Sequence, residues 1–248
     1  MTDYEHISAG LDSVRARLRE AARAAGRRPE DITLVAVSKT HPAEAVAAAH
    51  ALGQVEFAEN YVQEALAKQD ALAGLPLRWH FIGHLQSNKA KFMVGRFGLI
   101  HTVDSMKLAQ NLHKCLEQAL AQDKFTPEAA APERQDILIQ VNIGEEEQKG
   151  GVPATGLAEL AAGILKLERL RLLGLMCIPP LSLSARETRP YFAQLRELRD
   201  GLEREIGLEL PHLSMGMSHD FVEAVAEGAT LVRVGTDIFG RRDYGGQA

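Results

Sequence analysis

The chain has 248 residues, of which 46% are hydrophobic and 25% are charged, a composition typical of a globular protein with a buried core. Its formal net charge of -5 argues against a general nucleic-acid-binding or membrane-surface protein, because both classes need a basic face. Its two cysteines, Cys115 and Cys177, lie far apart, which excludes a disulfide framework and gives no zinc-ligand spacing. No stretch approaches the roughly 18 apolar residues of a membrane span, and the first residues contain no apolar run, so we expect a cytoplasmic protein.

Short runs rich in β-branched residues alternate with longer, alanine-rich amphipathic segments along the chain. A helix is predicted over 5–25, before the first strand. The segments between the strands have helical spacing, and starts such as Asp104-Ser105 and Ser218 are typical of helix caps. The predicted strands are 32–38, 55–58, 78–82, 99–103, 136–142, 171–177, 211–215 and 231–234.

Eight strand and helix units in 248 residues predict an α/β protein with a closed (β/α)8 barrel, or TIM barrel, whose usual length is about 250 residues. An open, doubly wound sheet is the alternative. It would place a glycine-rich phosphate loop after the first strand, and "SKTHPAE" is not one. The low-complexity segment 122–136 predicts an exposed loop rather than a domain boundary, so we expect one domain over residues 1–248.

Lys39 ends the first predicted strand, in the stretch "ITLVAVSKTHP". Strand alternation puts Thr33, Val35, Val37 and Lys39 on one face, and if that face is the interior the amine points toward the mouth of the barrel. In such barrels the chemistry collects at the C-terminal ends of the strands. Taken alone, the residue could be an ordinary solvated lysine. The alternative is a desolvated, readily deprotonated amine that forms an imine with a carbonyl compound.

The segments after strands seven and eight are rich in small and polar residues. "HLSMGMSHD" contains Ser214 and Met215 before a helix start at Ser218, and "LVRVGTDIFG" contains Gly235 and Thr236. Hydroxyls and backbone donors at helix starts bind phosphate, and barrels of this type often bind it in these two loops. Either loop alone could be a simple turn, but the two together predict a phosphate site.

Three further polar residues lie in or at the end of apolar strands. Arg233 would be very costly to bury without an acceptor, which either a structural ion pair or a ligand atom could supply. His80 and Asn60 lie at the ends of strands three and two. A lone histidine in a strand is more often a hydrogen-bonded core residue than a catalyst, so His80 is a supporting candidate only.

A lysine for an imine, a phosphate site and a buried arginine together describe a site for pyridoxal 5'-phosphate. Several segments, in order and within residues 34–240, resemble the pyridoxal phosphate homeostasis protein family: "VAVSKTHP", "FAENYVQE", "WHFIGHLQSNK", "GLMCIPP", "LSMGMSHDF" and "VRVGTDIFG". The resemblance implies a single barrel similar to the N-terminal domain of alanine racemase.

The resemblance also implies the roles of individual residues and no metal. Lys39 would hold pyridoxal phosphate as a Schiff base, and Arg233 would approach the pyridine nitrogen. A permanent donor there leaves that nitrogen unprotonated and weakens the cofactor as an electron sink. The resemblance places Ser214, Gly235 and Thr236 at the phosphate, and Asn60 and Met176 beside the lysine and the ring. His80 and Met215 complete the predicted cofactor-binding set.

The resemblance implies a protein that holds, buffers or delivers pyridoxal phosphate in vitamin B6 homeostasis, without a robust reaction of its own. We expect a monomer, with pyridoxal phosphate-dependent apoenzymes as candidate recipients and no nucleic acid or membrane as partner. Because the chain ends soon after the eighth predicted strand, we expect no second domain to supply a second acid or base.

Two enzymes remain as alternatives. The first is a pyridoxal phosphate-dependent amino-acid racemase with Lys39 as one base and Tyr61 or His80 as the other. The second is an aldolase-like barrel in which Lys39 attacks a sugar phosphate, and a buried Arg233 fits that reaction less well.

Overall fold

The computed structural model describes residues 4–122, 132–146, 148–180 and 183–240. Eight parallel strands form a closed barrel in which each strand pairs with the next and the last pairs with the first. The predicted TIM barrel is therefore confirmed, and the open sheet is excluded. The strands are β1 (Thr33–Val37), β2 (Glu56–Glu59), β3 (Arg78–Phe81), β4 (Leu99–Val103), β5 (Gln135–Val141), β6 (Leu170–Cys177), β7 (His212–Ser214) and β8 (Leu231–Val234).

The helices cover the outside of the barrel. Between β3 and β4 the predicted helix is a short 3₁₀ helix, Ser87–Phe92, a form common in brief connections. In the described part of the chain, no helix has the length and apolar character needed to cross a bilayer. The α-helices are α1 (Glu5–Ala24), α2 (Ala43–Ala51), α3 (Val62–Ala71), α4 (Met106–Ala121), α5 (Leu157–Ile164), α6 (Ala185–Ile206), α7 (Phe221–Ala226) and α8 (Thr236–Phe239).

The predicted strands agree with the observed ones to within one residue at each end, and the predicted helix 5–25 is observed as Glu5–Ala24. The predicted loop 122–136 differs, because β5 already begins at Gln135. Residues 123–131 of that prediction lie outside the described residues.

Alternation along β1 separates two apolar cores. Val35 and Val37 face the barrel interior, whereas Leu34 and Ala36 face the layer between barrel and helices. The predicted interior face of β1 is therefore confirmed, and Lys39 follows it at the C-terminal end of the barrel. The other buried members of the interior core are Ala58, Leu99, Leu138, Met176 and Leu231.

Helix α1 packs against α8, the short helix that follows β8. A Cβ added at Gly10 would lie 2.5 Å from the carbonyl oxygen of Asp237, so only glycine allows this close approach. Arg17 Nη1 also donates to the Asp237 carboxylate at 2.7 Å. The first helix therefore holds the segment after β8 in place. Its buried face recurs every three or four residues: Ile7, Leu11, Val14 and Leu18.

Candidate functional site

A cavity of about 470 Å³ opens at the C-terminal ends of the strands, and we call it the upper cavity. Val37, Ile82 and Ile178 form apolar parts of its wall and also contact the interior core. Its polar wall comes from loops after four different strands and from β8 itself: Lys39, His41, Asn60, Ser218, His219, Arg233, Thr236 and Asp237. A site assembled from several strand ends is the usual arrangement in this type of barrel.

The structure brings together only part of the predicted cofactor-binding set. Lys39, Asn60, Arg233, Gly235 and Thr236 all line the upper cavity. The predicted residues outside its lining are His80, Met176, Ser214 and Met215. Met176 belongs to the interior core, and Met215 faces the helices on the outside of the barrel.

Ser214 lies inside the barrel rather than on the cavity wall. It is the last residue of β7 and is 0% exposed. Its Oγ accepts a hydrogen bond from Arg233 Nη1 at 2.6 Å and lies 2.8 Å from His101 Nδ1. The predicted phosphate role of Ser214 therefore does not fit this structure, because protein groups already surround its oxygen. Ser218, four positions later in the same motif, lines the cavity instead.

His80 and Tyr61 also lie away from the upper cavity. His80 lines a second cavity of about 580 Å³ at the N-terminal ends of the strands, which we call the lower cavity. Its ring bonds to His101 and to Glu56, each at 2.8 Å. Tyr61 is 59% exposed and is not part of the upper cavity's lining. Neither residue is placed to act as the second base that the racemase alternative requires.

Arg233 is the most deeply buried charged group of the upper cavity, with 3% of its surface exposed. Its Nη1 donates to Ser214 Oγ at 2.6 Å and its Nη2 donates to the Cys177 carbonyl oxygen at 2.9 Å. Burial lowers the pKa of Arg233 from its ordinary value, and Asp220 acts in the opposite direction. Both direct acceptors are neutral, so the guanidinium suits an electron-rich atom of a ligand in the cavity.

Lys39 lies in a tight turn at the mouth of the barrel. His41 N donates to the Ser38 carbonyl oxygen at 3.1 Å, which closes the turn. Thr40 has a φ of 67°, an unusual conformation for a residue with a branched side chain. Its amide donates to Glu64 Oε1 on α3 at 2.6 Å. The conformation next to Lys39 is therefore held by a side chain from outside the turn.

A buried ion cluster supports this turn from behind. Lys68 Nζ donates at 2.7 Å to the Ser38 carbonyl oxygen, to Glu59 Oε1 and to Glu64 Oε1. Ser38 Oγ also donates to Glu59 Oε1 at 2.7 Å. Burial raises the pKa of Glu59, although Lys68 and Ser38 oppose the shift. The cluster joins β1, β2 and α3 directly behind Lys39.

Asn60 supplies a further sign of a ligand. Its Oδ1 is buried and has no hydrogen-bond partner among the described residues, although Asn60 lines the upper cavity. A buried acceptor without a donor costs about 1–3 kcal/mol, so a ligand that donates to this oxygen would be favoured. Gly83 allows the next loop to pack here, because a Cβ at that position would lie 1.9 Å from the Asn60 carbonyl oxygen.

The charge of the upper cavity favours an anion. Its one lining carboxylate among the described residues is Asp237, which is paired with Arg17. Lys39 and Arg233 provide positive charge, and Ser218 and Thr236 provide hydroxyls. Within the same part of the chain, no group of three or more His, Cys, Asp or Glu side chains could hold a metal ion. The donor set suits a phosphorylated heterocycle that carries a carbonyl group.

Comparisons with known proteins identify the family of the chain. Residues 10–243 match the family model for the alanine racemase N-terminal domain. The chain is 47% identical to the pyridoxal phosphate homeostasis protein of Pseudomonas aeruginosa, over 98% of each chain. It is 46% identical to the protein of the same name from Aquifex aeolicus, over 94% of this chain and 97% of that one.

A solved structure extends the likeness to the fold. PipY of Synechococcus elongatus PCC7942, with pyridoxal phosphate bound, is 40% identical and superimposes with a TM-score of 0.79. The match covers 94% of this chain and 100% of that one. On the family model and these identities, the chain belongs to the pyridoxal phosphate homeostasis protein family, built on a barrel of the alanine racemase N-terminal type.

Proposed function

We propose that this protein binds pyridoxal phosphate in the upper cavity, covalently through Lys39, and holds it for vitamin B6 homeostasis. The observation that carries the proposal is the presence of Lys39, Arg233 and the Ser218 and Thr236 hydroxyls on the wall of one cavity. The unsatisfied Asn60 Oδ1 on the same wall adds to it. The names of the relatives and the ligand of PipY support the same function.

Lys39 contributes the amine. Its Nζ would be the group that condenses, in unprotonated form, with the aldehyde of the cofactor, with release of one water molecule. The turn around Thr40 and the cluster around Lys68 hold the lysine backbone in place for this role.

Ser218, Gly235 and Thr236 are the proposed phosphate contacts. Ser218 replaces Ser214 in this role because it is the serine of the motif that lines the cavity. The hydroxyls donate to phosphate oxygens, and Gly235 keeps the segment close to β1, where a Cβ would lie 3.0 Å from the Val37 carbonyl oxygen. The proposal treats residues 1–248 as one pyridoxal phosphate-binding domain.

Arg233 limits what the bound cofactor can do. If Arg233 donated to the pyridine nitrogen of the cofactor, that nitrogen would stay unprotonated, because arginine does not release its own proton. The cofactor, when bound, supplies an electron sink for carbanion chemistry, and this contact weakens that sink. We therefore propose a protein that holds pyridoxal phosphate and has no robust catalytic activity of its own, rather than an enzyme.

Borohydride reduction followed by peptide mapping tests the proposal. We expect the mass of one reduced pyridoxal phosphate on Lys39 and a yellow absorbance that Lys39→Ala abolishes. Lys114→Ala, at an exposed position on α4, is the matched control and should keep both signals. A label on another lysine, or colour that survives Lys39→Ala, contradicts the proposal. A sugar phosphate trapped in place of the cofactor would favour the aldolase.

Assays of turnover separate holding from catalysis. The imidazoles of His41 and His219 line the upper cavity and are the histidines available to a racemase at this site. Alanine or serine racemisation at about 1–1,000 per second would replace the proposed holding function with the racemase. We expect instead transfer of the cofactor from the monomer to a pyridoxal phosphate-dependent apoenzyme, measured as recovered activity of that apoenzyme.

A further inference from the structure

A continuous row of polar side chains crosses the barrel interior, below the upper cavity. Arg233 Nη1 is 2.6 Å from Ser214 Oγ, which is 2.8 Å from His101 Nδ1. His101 Nε2 is 2.8 Å from His80 Nδ1, and His80 Nε2 is 2.8 Å from Glu56 Oε2. The row therefore starts at the upper cavity and ends at a residue that lines the lower cavity.

The groups at the two ends, together with one proton on each imidazole ring, determine the direction of every hydrogen bond in this row. Arginine can only donate, so Ser214 Oγ accepts from Arg233. A carboxylate can only accept, so His80 Nε2 donates to Glu56. With one proton on each ring, His80 Nδ1 is an acceptor, His101 donates to it from Nε2, and the Ser214 hydroxyl donates to His101 Nδ1. All hydrogen bonds run in one direction, from the guanidinium to the carboxylate.

Burial and charge agree with this assignment. His101 is 0% exposed, and desolvation lowers its pKa well below the ordinary value of 6.5, so the ring is neutral. Burial acts to raise the pKa of Glu56, but hydrogen bonds from His80 and Arg78 hold it below its ordinary value. Glu56 is therefore an anion, as an acceptor at the end of the row must be.

We propose that Ser214, His101, His80 and Glu56 are positioning residues that orient Arg233 toward the upper cavity through this one-directional hydrogen-bond chain. The aligned dipoles also compensate part of the buried positive charge, which has no direct carboxylate partner among the described residues. The consequence for the pyridine nitrogen rests on the proposed function. The positions of the protons and the orientation of Arg233 do not.

Nitrogen NMR of the ligand-free full chain, with labelled histidine and arginine, tests the proposal without any cofactor. We expect both His80 and His101 to be neutral and protonated on Nε2, and the two Arg233 Nη signals to be separate because the group does not rotate. A proton on Nδ1 of either ring in the unmodified protein, or a doubly protonated ring, overturns the chain.

Two variants of His80 separate a positioning role from a merely structural one. Leucine removes the acceptor, so His80→Leu should move the His101 proton to Nδ1 and merge the Arg233 Nη signals. Glutamine keeps one acceptor and one donor, so His80→Gln should restore both signatures. An unchanged His101 tautomer in His80→Leu overturns the proposal. If His80→Leu does not fold, the His101 tautomer in the wild type and in His80→Gln still tests the proposal. A His101 proton on Nδ1 in either protein overturns it.

Binding of pyridoxal phosphate then tests the consequence. We expect His80→Leu to raise the dissociation constant of pyridoxal phosphate about 10-fold, which is the effect of one hydrogen bond. His80→Gln should change this constant less than 3-fold. If the unmodified protein does not bind pyridoxal phosphate, the proposed function fails while the NMR result still decides the chain. If binding is normal and His80→Leu leaves it unchanged, the positioning of Arg233 is overturned.

Discussion

The two ends of the barrel carry cavities of similar size but different charge balance. The carboxylates that line the lower cavity are each paired with an arginine: Glu56 with Arg78 at 3.0 Å, and Asp136 at 2.6 Å with Arg171, which lies outside the lining. At the upper cavity, the direct acceptors of Arg233 are a hydroxyl and a backbone carbonyl. The two cavities have volumes of about 470 Å³ and 580 Å³, so volume alone does not distinguish them. They differ in the positive charge that remains for a ligand.

The largest effect should come from the buried ion cluster behind the upper cavity. Lys68→Met leaves Glu59 and Glu64 without their cation, and Glu59 is 0% exposed. Breaking a buried pair from one side costs about 3–5 kcal/mol, so the free energy of unfolding in urea should fall by that amount. Lys107→Met, at an exposed position on α4, is the control. A loss below about 1 kcal/mol would show that the cluster does not support the Lys39 turn.

A hydroxyl deletion at each end should affect ligand binding unequally. Ser218→Ala removes a donor to the proposed phosphate, and a hydrogen bond to a charged group contributes about 1.5–3 kcal/mol. We expect affinity for pyridoxal phosphate to fall about 10- to 100-fold by absorbance titration. Thr33→Ala removes a hydroxyl from the lower cavity and should leave the affinity unchanged. Equal losses in the two variants would remove the distinction between the ends.

Acid should act on the interior row that joins the two cavities. His101 has a lowered pKa in the folded protein, while in the unfolded chain it returns to about 6.5. Below that pH the unfolded state binds more protons, so the free energy of unfolding decreases as the pH falls. Between pH 7 and 5, the free energy of unfolding should fall more steeply with pH in the unmodified protein than in His101→Gln, by up to about 1.4 kcal/mol per pH unit. Denaturation at a series of pH values measures both slopes. Equal slopes would mean that His101 takes up its proton at the same pH in the folded protein as in the unfolded chain, and would contradict the lowered pKa.

The smallest effect should come from the exposed pair at the lower end. The Arg78 side chain is 76% exposed, and ion pairs of this kind contribute about 0–1 kcal/mol. Arg78→Met should therefore reduce stability in urea by less than about 1 kcal/mol and leave pyridoxal phosphate affinity unchanged. A loss comparable to that of Lys68→Met would contradict the contrast between the two ends.

The periodicity of the sequence was sufficient to predict the barrel and the interior face of β1, because strand alternation is a local property of the chain. It was not sufficient for the choice between Ser214 and Ser218. β7 is only three residues long, and how far its loop runs before it reaches the cavity depends on packing against other elements.

Two further features were missed for related reasons. Glu64 and Lys68 have the spacing of an ordinary exposed helix pair, and only the packing of α3 on the barrel buries them. His101 resembles a core histidine when β4 is read alone. The available signal was that alternation directs both His80 and His101 inward from neighbouring strands.

The contact between α1 and α8 has a consequence for synthesis of the protein. Arg17 and Asp237 are 220 positions apart in the chain. At about 5–20 residues per second, a ribosome needs roughly 10–40 s to make the intervening residues. During that time the first helix lacks its docking surface, and the binding site lacks the strand that carries Arg233. Capture of a ligand at this site by the nascent chain must therefore wait until residues 233–237 have been made.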